Sequence, residues 1–156
     1  EQAVQAAGGA HAILRTSWVF SQWGRNFVTT MLRLGAARDH LTVVGDQTGG
    51  PTWAVDIAGT CLEIADQLRK NKEKSGIYHY SGAPDVTWAG FARAVFDTAG
   101  LQVTVTDITT ADFPTPARRP ANSRLECGTA TAVFGVERPD WRVGLKTVVA
   151  ACQRSG

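Results

Sequence analysis

The apolar run Ile13-Leu-Arg-Thr16 leads straight into Ser17 and Trp18, and Asn26 follows soon after. These residue types suit ligand binding. An indole at the end of a strand can stack on a sugar or a base and donate its N–H. The hydroxyl of Ser17 and the carboxamide of Asn26 add small polar groups at the same mouth. Each side chain also has a structural alternative. Trp18 can pack in a core, Ser17 can form a turn and Asn26 can cap a helix.

A second constellation is Arg118-Arg119-Pro120-Ala-Asn-Ser-Arg124. Proline stiffens the backbone from which these arginines project. A guanidinium fork matches phosphate oxygens through two parallel hydrogen bonds, so a diphosphate would fit. The alternative is a solvated basic loop. The third is the loop Asp46-Gln-Thr-Gly-Gly-Pro-Thr52. Its glycines allow close approach of backbone to a ligand, and Gln47 can read a base or sugar edge. Loops of this composition also serve as plain turns.

No complete catalytic constellation is present. The chain has no Gly-x-Gly-x-x-Gly before a helix, no phosphate-loop lysine and no His-Glu-x-x-His. His11, His40 and His79 stand apart from one another. His79 alternates with Tyr78 and Tyr80 and reads as a packing residue of a strand. Cys61, Cys127 and Cys152 are too few and too irregularly spaced for a disulfide framework or a zinc site, so no metal is expected. Cys61 and Cys152 fall in helical patterns and are expected to pack as small apolar residues.

The elements that must position these groups alternate between strand and helix. Residues 1–7 read as the tail of a helix stopped by Gly8-Gly9. Residues 12–16 form a strand, and 17–24 a loop. Phe27, Met31, Leu32 and Leu34 have helical spacing within 25–38. Residues 41–44 are a β-branched strand, and 45–51 a loop. Thr52 is expected to cap a helix that carries Ile57, Cys61, Ile64 and Leu68. Strand 77–80 follows. Thr87 caps a helix with Trp88, Phe91, Val95 and Phe96 facing inward, ended by Gly100. Residues 103–107 alternate as a strand with one wet face. The prolines of 113–122 require a loop. A short helix follows Thr129, and a last one covers roughly 143–153. The pattern is α/β.

The chain's 156 residues suit one domain with a core, and 44% hydrophobic with 19% charged residues is ordinary for a globular protein. A net charge of +2, without a basic stripe, argues against nucleic acid as a partner. No apolar run approaches the ~20 residues of a membrane span. The first residues lack the pattern of a signal peptide, and the three scattered cysteines point to a reducing, cytoplasmic setting.

Five segments, in order, resemble the dTDP-4-dehydrorhamnose reductases of the extended short-chain dehydrogenase/reductase superfamily. They are Arg15-Thr-Ser-Trp-Val-Phe20; Asn26-Phe27 with Met31-Leu-Arg33; Val44-Gly-Asp-Gln47 with Gly50-Pro-Thr52; Gly76-Ile-Tyr-His79 with Trp88; and Pro114-Thr-Pro-Ala-Arg-Arg-Pro120 with Asn122-Ser-Arg-Leu125. The resemblance implies the C-terminal, substrate-binding part of such an enzyme, with residues 1–156 as a single substrate-binding portion that includes the last strands of a Rossmann sheet. It implies reduction of dTDP-4-dehydro-L-rhamnose to dTDP-L-rhamnose with NADPH or NADH.

Residue by residue, Trp18 matches a tryptophan placed against the sugar. Arg119 resembles an arginine used on the diphosphate by related nucleotide-sugar enzymes. Asn26 and Gln47 are expected to line the same pocket. Arg15, Thr16 and Ser17 lie on the strand that passes the nicotinamide, where backbone would touch cofactor. The family's Tyr-x-x-x-Lys is absent from these residues. It is expected upstream, with the chain either truncated or proteolysed and inactive alone. Strands 12–16 and 77–80 would then lack sheet neighbours, which favours contact with the absent domain or self-association, including a homodimer. Two other readings stay open: a non-catalytic regulatory subunit of the superfamily, and an epimerase acting on another nucleotide sugar.

Overall fold

The computed structural model describes residues 1–115, 117 and 119–154; Pro116 and Arg118 lie outside the described residues. Two small hydrophobic cores organise the chain. The first rests on a two-stranded parallel sheet of β1 (Ala12–Arg15) and β6 (Gly76–His79), in the register Ala12 to Gly76 and Leu14 to Tyr78. Side chains alternate across a strand, so Ala12, Leu14 and Tyr78 share one face. That face packs on Ile64 and Leu68 of α3 (Ala54–Lys70) and on Ala130 and Phe134 of α5 (Gly128–Phe134). Phe134 meets Tyr78 edge to face with centroids 4.8 Å apart. Before β1 comes the short α1 (Gln2–Ala6), which buries nothing.

The larger core lies under a second parallel pair, β3 (His40–Val44) and β8 (Thr104–Ile108). Leu41 and Val43 point inward, as strand alternation requires. With Val28 and Met31 of α2 (Phe27–Gly35), Phe91, Val95 and Phe96 of α4 (Trp88–Ala99), and Leu145 and Val148 of α6 (Trp141–Arg154), they form one buried cluster. Phe91 is at the centre, with Phe20, Phe27 and Trp141 rings around it.

Most expected elements form where the pattern put them. Thr87 caps α4 by accepting the Gly90 N–H at 3.0 Å, and Gly100 ends it in the left-handed conformation at φ 69°. The expected loops 17–24 and 45–51 each hold a two-residue strand. β2 (Val19–Phe20) pairs in parallel with β5 (Thr52–Trp53), and β4 (Thr48–Gly49) pairs antiparallel with β7 (Val86–Thr87).

Thr52 does not cap α3. It lies in β5, and its buried hydroxyl donates to the Ser17 carbonyl at 2.8 Å, while Trp53 precedes the helix without a side-chain cap. Cys61 is exposed, not packed, because it falls on the outer side of α3; Cys152 is half-buried against the larger core. Strands β1 and β6 pair with each other, and neither has a second strand partner among the described residues.

Candidate functional site

A cleft of about 750 Å³ opens where α2 and β3 meet Phe113, Thr115 and Arg119. Its floor is apolar: Phe27, Met31 and Leu34 from successive turns of α2, and Leu41 and Val43 from β3. Its rim is polar. Gln47 and Arg119 stand at one part of it, and Arg38 and His40 come from the start of β3 and the residues before it. An apolar floor with a few placed polar groups is the usual composition of a small-molecule site. The structure therefore brings together two of the four residues expected at a substrate, Gln47 and Arg119.

The rim is tied down by a hydrogen-bonded junction. The Asp46 carboxylate accepts the Thr110 N–H at 2.9 and 3.0 Å and the Thr110 hydroxyl at 2.6 Å. The Thr110 hydroxyl in turn accepts the Gln47 Nε2–H at 3.0 Å. These bonds from the Thr110 hydroxyl and then its amide hold the Asp46 carboxyl below the usual carboxylate range. One turn on, Asp112 accepts from the Thr109 hydroxyl at 2.7 Å and from its N–H at 3.1 Å, which lowers its pKa in the same way. The segment leaving this junction carries Phe113, Thr115 and Arg119 to the cleft. Arg119 makes no ion pair among the described residues, and the Gln47 Oε1 has no hydrogen-bond partner among them, so both can serve a ligand. Of the other two arginines of the motif, Arg124 donates its Nε–H to the Asn122 Oδ1 at 3.1 Å, and Arg118 lies outside the described residues.

Trp18 is placed one layer behind the cleft. Its ring lies face to face on Trp88, with centroids 3.4 Å apart and planes within 8°, and Trp88 borders the cleft. Asn26 is the N-cap of α2. Its Oδ1 accepts the Thr29 N–H at 3.2 Å, its Nδ2 donates to the Ser21 carbonyl at 2.8 Å, and the Thr29 hydroxyl accepts the Asn26 N–H at 3.0 Å. This reciprocal pair fixes the start of the helix that forms the cleft wall. Asn26 thus shapes the cleft from outside it.

Arg15 ends β1 and Thr16 and Ser17 follow it; none of the three lines the cleft. The Arg15 guanidinium grips both Glu1 oxygens, at 2.9 and 2.5 Å, and lies 3.5 Å from His79 Nε2. This pairing raises the Arg15 pKa and lowers that of Glu1. Thr16 is exposed, and the Ser17 hydroxyl donates to the Gly50 carbonyl at 3.3 Å. The chain after β1 turns into β2 and not into a helix N-terminus, which is the element that cradles a dinucleotide phosphate. What Arg15, Thr16 and Ser17 could offer a nicotinamide is backbone contact alone.

Trp88, Phe113, Thr115, Arg38 and His40 border the cleft without having been singled out as site residues. The visible signal for Phe113 is a large aromatic among prolines; it stays 56% exposed in the fold, where an apolar ring is expected to find cover. Trp88 follows the capping Thr87, and the turn before it is clamped: Arg138 donates to the Ser81 carbonyl at 3.2 Å, the Gly82 carbonyl at 2.5 Å and Asp85 at 2.5 Å. Among the described residues no cluster of His, Cys, Asp and Glu is arranged to hold a metal, and no helix is long and apolar enough to cross a membrane. The cleft's chemistry is recognition: an apolar slot for a ring, a carboxamide for a polar edge, and a guanidinium for an anion.

Residues 1–154 match the family model described as the RmlD substrate binding domain. A dTDP-4-dehydrorhamnose reductase of Sinorhizobium fredii is 44% identical over 162 residues, covering 100% of this chain and 55% of that protein. The crystal structure of a dTDP-4-dehydrorhamnose reductase from Clostridium acetobutylicum superimposes with a TM-score of 0.81 at 36% identity, over 91% of this chain and 49% of that one. The Bacillus anthracis reductase, solved in complex with NADP, gives 0.78 at 33% identity, over 89% and 48%. The chain thus spans about half the length of the relatives it matches.

Proposed function

The chain belongs to the RmlD substrate binding domain family, and from that premise we propose that its cleft holds a dTDP-linked sugar. The observation that carries the reading is the cleft itself, in which Gln47 and Arg119, which makes no ion pair among the described residues, stand over an apolar floor. Arg119 would grip the diphosphate, Gln47 would read a polar edge, and the floor from α2 and β3 would take a ring. Asn26 contributes by fixing α2, and Trp18 by its stack on Trp88.

The whole protein, in this reading, is a dTDP-4-dehydrorhamnose reductase. It would reduce dTDP-4-dehydro-L-rhamnose to dTDP-L-rhamnose with NADPH or NADH as the hydride source. The residues described here bind and orient the nucleotide sugar. The free edges of β1 and β6 support contact with a further domain or a second copy. The three free thiols fit a reducing, cytoplasmic setting.

Calorimetric titration with dTDP-L-rhamnose tests the reading. Saturable binding at one site per chain, competed by dTDP, is the expected result. Heat that merely tracks dilution, with no competition, would refute the assignment of the cleft.

A further inference from the structure

Trp88 is the first residue of α4, held there by the Thr87 cap. Its ring lies on that of Trp18 at 3.4 Å, and Phe27 meets it at 4.6 Å with planes tilted by 42°. Trp18 needs a support of this kind. At φ 49° its backbone is left-handed, a conformation that persists only when the surroundings over-determine it. Two further contacts help. The Trp18 carbonyl accepts the Thr52 N–H at 3.1 Å, and Gly49 leaves room for the ring, since a Cβ there would lie 2.7 Å from it. Trp88 supplies the stacking side chain, and it alone of the pair borders the cleft. The indole N–H groups of Trp18 and Trp88 have no partner among the described residues, and neither is buried.

We infer that Trp88 is a positioning residue for the ligand. It fixes the Trp18 indole, and the two rings act as one plate beside which a ring of the bound nucleotide sugar, thymine or hexose, is laid. This rests on the nucleotide-sugar reading of the cleft. Two consequences follow from the geometry. Ligand affinity tracks the aromatic ring at position 88, not merely its volume. A ligand laid against the plate also perturbs the optical coupling of two indoles stacked this closely.

The experiment titrates the parent chain, Trp88→Phe and Trp88→Leu with dTDP and with dTDP-L-rhamnose, alongside melting curves and circular dichroism. Trp88→Leu is expected to bind about three- to tenfold more weakly, and Trp88→Phe to recover most of that loss. The exciton couplet of the Trp18–Trp88 pair should be present in the parent, absent in both variants, and altered in the parent when ligand saturates. A loss seen with both ligands assigns the plate to the base; a loss seen only with dTDP-L-rhamnose assigns it to the sugar. A folded Trp88→Leu chain that binds both ligands as tightly as the parent overturns the inference and leaves the cleft assignment standing. If Trp88→Leu does not fold, a parent couplet unchanged at saturation overturns it instead. A parent that binds neither ligand overturns the nucleotide-sugar reading, and this inference with it.

Discussion

Arg119 lines the cleft, and the Pro120 that follows it restricts its backbone. It has no carboxylate partner among the described residues. A charged hydrogen bond to a phosphate is worth roughly 1.5–3 kcal/mol. Arg119→Ala should therefore weaken dTDP binding by on the order of tenfold or more. Arg119→Lys should restore only part of it, because an ammonium keeps the charge but lacks the planar fork. Titration of the two variants with dTDP checks this. Unchanged affinity in Arg119→Ala would show that Arg119 does not hold the diphosphate. Asn26 shows the opposite case: with its amide and carbonyl both engaged in the cap, it acts on the site through α2. Its type and position were legible in the sequence, but the choice between cap and ligand contact was not, since both use the same oxygen.

The junction of Asp46, Gln47 and Thr110 joins the loop after β3 to the segment after β8, next to Phe113 at the cleft. Asp46→Ala should loosen it, seen as faster hydrogen exchange of the Thr110 N–H and weaker dTDP binding, with the melting temperature little changed because the junction is exposed. Protection of Thr110 equal to that of the parent would show that the junction does not position the segment. The pH dependence has a definite sign. The folded pKa of Asp46 is depressed, so its contribution is present above the ordinary Asp value of about 3.9 and is lost as pH falls through the lower folded value. Across neutral pH the junction should be indifferent to pH.

At this scale the long helices were legible. The spacing of Phe27, Met31 and Leu34, the Thr87 cap and the Gly100 stop all correspond to features of α2 and α4. The strands β2, β4, β5 and β7 were not, because two residues cannot display a period of two. Thr52 misled for a related reason: a threonine before a helical run fits a cap, yet its hydroxyl is drawn to the Ser17 carbonyl by the β2–β5 pairing.

Across the whole molecule, the cleft belongs to the larger core and the β1–β6 sheet to the smaller one. The sequence motifs that first drew attention divide accordingly. Gln47 and Arg119 both line the cleft; Arg15 ends a strand of the sheet with its open edges, and Thr16 follows it. That Trp18 and Trp88 stack could not be read locally, because the pairing joins the end of β1 to the start of α4 through the fold. The family resemblance foresaw the substrate-binding half and its α/β architecture, and the match over residues 1–154 agrees with it. The central claim is that a dTDP-linked sugar occupies the cleft between α2, β3 and the side chains of Phe113, Thr115 and Arg119. The most direct measurement is nuclear magnetic resonance of the nitrogen-labelled chain during titration with dTDP-L-rhamnose. The account predicts shifts concentrated at the Gln47 side-chain amide, the Arg119 guanidinium and the Trp88 indole N–H, with α5 and the outer face of α3 unmoved. Saturable shifts confined to β1, β6 and α5, with those three groups silent, would contradict it.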